Sequence, residues 1–297
     1  MVGARRAVRR TAASFTHEGE NALGEDRMNG ELVRDERRSL AGTDGTAALL
    51  TLNRPEQLNA INIDMLRALD EAIDAVDADP HVRVVLVTGA GTAFSAGGDL
   101  KSYVTLQRDR EAFPIFVADL HRVFGRLRQL RAPVVALVNG TTAAGGLELL
   151  LACDLAFAAR SARIGDGHLN FGQMGGGGVL TILPRIIGMQ RASQLLYSGV
   201  LLPAETACDW GLVAEVFDDG ELLSAALDFA GVVATKSPLA VANAKYVMNT
   251  VWSEAVSIET GLRLERERNA YYILTSDDAR EGLAAFAEKR KPRFRGR

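Results

Sequence analysis

From about Glu31 onward the chain alternates between short apolar runs and longer segments whose apolar residues recur every three or four positions. The first runs, around Glu31 to Arg34 and Ala47 to Leu52, predict strands; Asn53, Arg54 and Pro55 close the second and open a turn. Met65, Leu66, Leu69, Ile73 and Val76 then share one face of a helix that Asp79 and Pro80 stop. Val84 to Val87 is apolar at every position, as expected of a strand covered on both sheet faces, and Gly89 and Gly91 follow it. The unit repeats. Val117, Leu120, Phe124 and Leu127 mark a second amphipathic helix, Pro133 opens the strand-like Val134 to Val138, and Leu155 to Ala158 is a third short run. Strands alternating with helices predict an α/β core.

Beyond Gly175 the pattern becomes helix after helix, apart from a strand expected at Val213 to Phe217, and long charged segments begin at Ser237. The mixed signs of Glu265, Arg266, Glu267 and Arg268 read as a solvated or interface face. These shifts divide the chain into an extension over 1–30, a core over 31–235 and a helical region over 236–297.

Composition narrows the function classes. A length of 297 residues, 47% hydrophobic content and a net charge of −3 fit one large globular domain with an appendage. Nucleic-acid binding needs a clustered excess of Lys and Arg, present here only at the two short ends. The longest apolar stretch, Ala132 to Ala159, is interrupted by Asn139, a Gly140 to Gly146 loop, Glu148 and Asp154, which argues against a membrane span. Cys153 and Cys208 have no partner at metal-ligand spacing and read as small buried hydrophobes of a reducing, cytoplasmic compartment. Arg5, Arg6, Arg9 and Arg10 come early, but Glu18, Glu20, Glu25 and Asp26 follow, so a disordered extension or an over-long start is expected over a targeting segment.

Two runs end in glycine-rich loops of similar design: Ala93-Phe94-Ser95-Ala96-Gly97-Gly98-Asp99-Leu100, and Asn139-Gly140-Thr141-Thr142-Ala143-Ala144-Gly145-Gly146-Leu147-Glu148. Glycine lets a backbone approach a ligand closely, and an N–H at a helix start points outward with the helix dipole behind it, so two such groups can make an oxyanion hole. Tight turns use glycines in the same way. Neither loop has the G-x-G-x-x-G order or a P-loop ending, and Ser95 lacks the first glycine of a hydrolase elbow.

The residues resemble the crotonase (enoyl-CoA hydratase/isomerase) superfamily. Leu52-Asn53-Arg54-Pro55-Glu56-Gln57-Leu58-Asn59-Ala60-Ile61 is similar to its coenzyme A loop, and Phe94 to Leu100 to its F-x-A-G-x-D-L segment. Asn139 to Asp154 resembles its N-G-x-x-x-G-G-G-x-E-L-x-x-x-C-D segment, with Ala144 where glycine is commoner. Arg185 and Gly188 suit the helix that follows, and Glu281 to Pro292 resembles the family's C-terminal E-G-x-x-A-F-x-x-K-R-x-P. The resemblance covers about residues 31–297. It implies a spiral of repeated ββα units, with a helical C-terminal region that makes a homotrimer or a pair of trimers. It further implies an acyl-CoA thioester substrate, with coenzyme A as part of that substrate and no separate cofactor or metal. Gly98 and Gly145 are the implied oxyanion donors. Leu58, Ala60, Ala96, Gly97, Asp99 and Leu100 are the implied substrate contacts, and Arg54 and Lys289 the implied phosphate or adenine contacts.

Glu148 sits one turn into a helix if that helix starts at Gly145, and its neighbours Leu147, Leu149 and Leu150 favour a raised pKa suited to proton exchange. The same position is also one where the helix dipole favours an acid. Family hydratases carry a second acid on the loop after the next strand; here Ile164 to Gly172 places His168 at the matching position. An imidazole is a general base at neutral pH without tuning, and Asp166 can orient it, although a satisfied structural histidine and an Asx turn are the alternatives. The expected function is water addition to a 2-enoyl-CoA. Two alternatives stand beside it: a hydrolase of C–C or thioester bonds, or an isomerase, using His168; and a non-catalytic CoA-binding paralogue.

Overall fold

The computed structural model describes residues 31–297, which form one compact unit; the extension expected over 1–30 lies outside the described residues. The first four turns of the fold are each two strands followed by one or two helices. β1 (Val33–Ser39) and β2 (Thr46–Leu52) lead to α1 (Ile63–Ala78). β3 (Val82–Gly89) and β4 (Ala93–Ser95) lead to α2 (Leu100–Leu106) and α3 (Ala112–Gln129). β5 (Val134–Val138) and β6 (Thr141–Ala143) lead to α4 (Gly145–Ala152); β7 (Leu155–Ala159) and β8 (Arg163–Gly165) lead to α5 (Val179–Ile187) and α6 (Met189–Ser198). β9 (Leu201–Pro203), α7 (Ala204–Asp209), β10 (Glu215–Phe217) and α8 (Leu222–Ala234) complete the core. The helices α9 (Pro238–Ser253), α10 (Ile258–Thr275) and α11 (Asp277–Ala287) follow.

The longer strands and the three-residue β10 join one six-stranded sheet, β1-β2-β3-β5-β7-β10, parallel except for the β1–β2 pair. The other three-residue strands make a second sheet, β4-β6-β8-β9. This is the expected spiral of ββα units. Alternate residues of the long strands point into opposite layers, which explains their unbroken apolar runs. Leu50, Val85, Val87 and Ala136 face α1, α3 and α4, whereas Leu49, Val84, Leu86 and Val135 face Leu222, Ala226 and Ala230 of α8.

The sequence reading misses two kinds of strand. β1 lies further along than Glu31 to Arg34, because its residues Asp35, Glu36, Arg37 and Arg38 carry no apolar alternation. It is an edge strand whose charges pair within it, Arg38 with Glu36 and Arg37 with Asp35, and across to Asp79. The strands of the second sheet are three residues long each, too short for a period to show. Cys153 and Cys208 are free thiols but half-buried, packed against the edge of the core, Cys153 capping α4 and Cys208 in the last turn of α7.

Within the compact unit, the expected boundary at 235/236 falls in the turn between α8 and α9. One buried charge ties α9 to the core. Lys245 is 5% exposed; its Nζ pairs with Asp154 at 2.6 Å and donates to the carbonyls of Leu127 and Ala132 at 3.2 and 3.0 Å. All three donors are used, as a buried ammonium requires. Among the described residues, no single helix is long and apolar enough to cross a bilayer.

Candidate active site

The turn after β2 is locked by one side chain. Asn59 is fully buried and adopts a left-handed backbone (φ 55°), a conformation asparagine tolerates. Its Nδ2 donates to the carbonyls of Ala90 and Ala93 at 2.9 and 2.8 Å, and its Oδ1 accepts from the Arg54 N–H at 2.9 Å. The segment beyond it then runs beside the first glycine loop. Ala96 N–H donates to Leu58, Ile61 N–H to Gly97 and Asp99 N–H to Ile61, at 2.9, 2.7 and 3.0 Å. Leu58, Ala60, Ala96, Gly97, Asp99 and Leu100 therefore converge, with the side chains of Leu58 and Leu100 exposed.

Arg54 closes this arrangement from inside. Its guanidinium bonds Asp99 at 2.9 Å and the Ala60 carbonyl at 2.6 Å. Burial would raise the Asp99 pKa, but Arg54 and the Lys101 and Ser102 N–H groups outweigh it and hold the carboxyl below its ordinary range. Lys289 stands elsewhere, exposed at the end of α11, and among the described residues no side-chain hydrogen bond joins it to these loops.

The two glycine loops touch. Gly97 has φ 99°, and a Cβ there would lie 2.7 Å from the Ala144 methyl and 2.9 Å from the Gly145 nitrogen. Only glycine permits both that backbone and that approach. Gly145 is in turn the first residue of α4, so its N–H has no intrahelical acceptor. Among the described residues the N–H groups of Gly98 and Gly145 have no acceptor, and they belong to segments in direct contact. The alanine at 144 keeps the geometry glycine would supply: its φ is 49°, and its N–H is bonded to the Asp166 carbonyl.

Glu148, in the first turn of α4, is 2% exposed. Its Oε1 accepts from Gly177 N–H at 2.6 Å and Val179 N–H at 3.3 Å, so the glycine run over 175–178 wraps the carboxylate. A Cβ on Gly177 would sit 2.6 Å from Oε2, and one on Gly175 would sit 3.1 Å from Glu148 Oε1 and 3.4 Å from His168 Nδ1. The acid and the imidazole thus flank one point of the backbone. His168 begins a short 3-10 turn, and buried Asp166 holds it twice, accepting from its N–H at 3.1 Å and bonding Nδ1 at 2.7 Å. With Nδ1 occupied, Nε2 is the nitrogen left for chemistry.

A family model for Enoyl-CoA hydratase/isomerase matches residues 42–297. The chain is 34% identical over 250 residues to the short-chain-enoyl-CoA hydratase of Clostridium acetobutylicum, covering 84% of this chain and 94% of that one. It is 34% identical over 249 residues to the 2,3-dehydroadipyl-CoA hydratase of Escherichia coli, covering 84% and 95%. A crystal structure of enoyl-CoA hydratase from Bacillus anthracis superimposes with a TM-score of 0.83 at 32% identity, over 90% of this chain and all of that one. The chain belongs to the enoyl-CoA hydratase/isomerase family.

Burial and hydrogen bonding set the electrostatics of the pair. Burial is the largest influence on Glu148 and raises its pKa, against the smaller opposing effects of His168 and of the N–H groups of Val179 and Gly177. Burial would lower the His168 pKa, but the hydrogen bond and charge of Asp166, with Glu148 behind them, outweigh it and raise the imidazole above its ordinary value. Sequence reasoning did not single out Asn59 as a structural key, nor Asn139. The Asn139 Nδ2 donates to Gly89 and Gly91 at 2.9 and 3.1 Å and holds β3 beside β5. Side-chain amides that bond backbone in this way carry no signal besides their turn context. Replacing Asp166 by Asn is expected to move the His168 titration, followed by NMR of the imidazole, to lower pH. An unchanged titration would remove Asp166 from its orienting role.

Proposed function

We propose that this family member adds water to a 2-enoyl-CoA thioester, with Glu148 and His168 as the catalytic pair. The observation that carries the reading is the convergence of a buried carboxylate and an Asp-bound imidazole beside two N–H groups without acceptors. The thioester oxygen accepts from Gly98 and Gly145, where each donor is worth roughly 3 kcal/mol as negative charge develops. Glu148 Oε1 is anchored by backbone, which leaves Oε2 to hold water. The water oxygen bonds to C3, its proton passes to Glu148, and the π electrons move into the thioester as an enolate. The enolate then takes a proton at C2 from the His168 Nε2–H, and Glu148 returns its proton to the imidazole. Asp166 and Glu148 favour the imidazolium, which makes His168 the acid of this scheme where the sequence alone pointed to a base.

Coenzyme A enters as part of the substrate, and no metal or separate cofactor takes part in the scheme. Leu58, Ala60, Ala96, Gly97, Asp99 and Leu100 are the proposed contacts for its acyl end. Arg54 acts mainly by fixing that loop through Asp99, and exposed Lys289 is the cation proposed for a phosphate. Two free thiols support a reducing, cytoplasmic setting.

The reaction requires Glu148 ionised and His168 protonated, and both pKa values are raised. The profile of kcat/KM is therefore expected to be bell-shaped, its acid limb above the ordinary carboxylate range and its alkaline limb above the ordinary imidazole range. With a panel of enoyl-, 3-oxoacyl- and aryl-CoA thioesters, mass spectrometry is expected to show water addition to an enoyl substrate. Glu148→Gln and His168→Ala should each lose about a hundredfold or more in kcat/KM, with the alkaline limb absent from the residual activity of His168→Ala. Cleavage of a 3-oxoacyl substrate would move the assignment to a family hydrolase, and activity indifferent to His168 would return that residue to a structural role.

A homotrimer or pair of trimers is part of the same proposal. It is supported by the apolar residues that α10 and α11 leave exposed, among them Ile258, Leu262, Leu274, Leu283 and Phe286, each at 60% or more. Sedimentation at micromolar concentration is expected to give a trimer or larger, and a fully active monomer would contradict it.

A further inference from the structure

One polar group beside the site is used by nothing described so far. Tyr103, in α2, lays its ring against the oxyanion loop: Cε2 is 3.0 Å and Cζ 3.3 Å from the point where a Cβ of Gly98 would sit. Edge-to-face contacts fix the ring from behind, with Phe113 at 5.9 Å and Phe116 at 5.6 Å between centroids. Its placement leaves the hydroxyl without a hydrogen-bond partner among the described residues, although the residue is half-buried and a phenol in such a place normally finds one. The hydroxyl is not sealed off, since the buried polar atoms that lack partners do not include it.

Two further observations orient the group. Burial first, and the charge of Glu148 second, push the phenol up to about 12, so it is a neutral donor at any working pH and stands within electrostatic reach of the catalytic carboxylate. Val117 and Leu120 of α3 close on the glycine run behind Glu148: Val117 Cγ1 lies 3.5 Å and Leu120 Cδ2 3.0 Å from the Cβ points of Gly176 and Gly177. That wall is apolar. Water entering between Glu148 and His168 finds no hydrogen bond on that wall, and the Tyr103 hydroxyl offers one from the Gly98 side.

Resting on the hydratase reading, we propose that Tyr103 is a positioning residue of the reacting centre. Its rigid ring buttresses the Gly98 donor and its hydroxyl donates to the water held by Glu148, setting that oxygen's lone pair toward C3. No covalent step passes through it; the phenol keeps its proton throughout.

The test uses the full-length protein in two arms. Tyr103→Phe keeps the ring and removes the hydroxyl, and is expected to lower kcat about tenfold, the loss of one hydrogen bond, with KM and melting temperature unchanged. An unchanged kcat in a preparation whose wild type hydrates enoyl-CoA would overturn the proposal and leave the hydratase reading intact. The second arm needs no turnover. In protein labelled with [13C]tyrosine, the Tyr103 Cζ resonance, assigned by its absence in Tyr103→Phe, is expected to shift on saturation with butyryl-CoA and to stay in place with coenzyme A alone. A resonance indifferent to both would show that the ring does not face the acyl space and would overturn the proposal even if no hydration were found.

Discussion

The proposed oxyanion hole needs two segments distant in sequence held in contact with both donors unpaired, and the contact that does this is the approach of Gly97 to Ala144 and Gly145. Much of the surrounding structure serves it. β4 and β6 pair in parallel, so the two loops leave the second sheet side by side. Asn59 and Asn139 satisfy carbonyls where the chain enters the first loop, and Arg54 clamps its end through Asp99. The backbone at Ala144 shows how strongly this geometry is imposed: an alanine holds a left-handed φ there, a conformation that L residues other than glycine adopt at a cost of order 1–3 kcal/mol. Its N–H is tied to the carbonyl of Asp166, whose side chain holds His168. One residue, Asp166, therefore links the second glycine loop to His168.

The second constraint is electrostatic. Glu148 and Asp166 are both almost fully buried, and an isolated carboxylate in such a place is costly. Each is compensated differently. Asp166 has an imidazole and a backbone N–H to bond, whereas Glu148 has two N–H groups on one oxygen and, among the described residues, no donor on the other. A carboxylate stabilised on one side only keeps an open coordination position and a raised pKa, the combination a reversible proton carrier needs.

Much of this was legible in the sequence, and what was not has physical causes. The runs Val84 to Val87 and Val134 to Val138 announced strands because both faces are buried, and the amphipathic faces of α1 and α3 are equally plain. The helix start at Gly145, and with it the place of Glu148, followed from the motif. The second sheet was hidden because three-residue strands carry no period. Arg54 was implied as a phosphate or adenine contact, yet its guanidinium is bonded to Asp99, 45 positions away, a pairing no local pattern reveals. His168 was found by position, but its protonation preference depends on whether the side chain of Asp166 turns toward its ring or only toward backbone, which the sequence left open. Tyr103 gave no signal at all, because its meaning comes from facing Gly98.

The central claim is that Gly98 and Gly145 polarise a thioester carbonyl, and the state of that carbonyl reports on it directly. The measurement is the 13C resonance of 2-butenoyl-CoA labelled at its carbonyl carbon, bound to Glu148→Gln so that turnover does not consume it. The account predicts a clear downfield displacement from the free thioester, as the oxygen takes up two hydrogen bonds. A bound ligand whose carbonyl resonates where the free thioester does would contradict it.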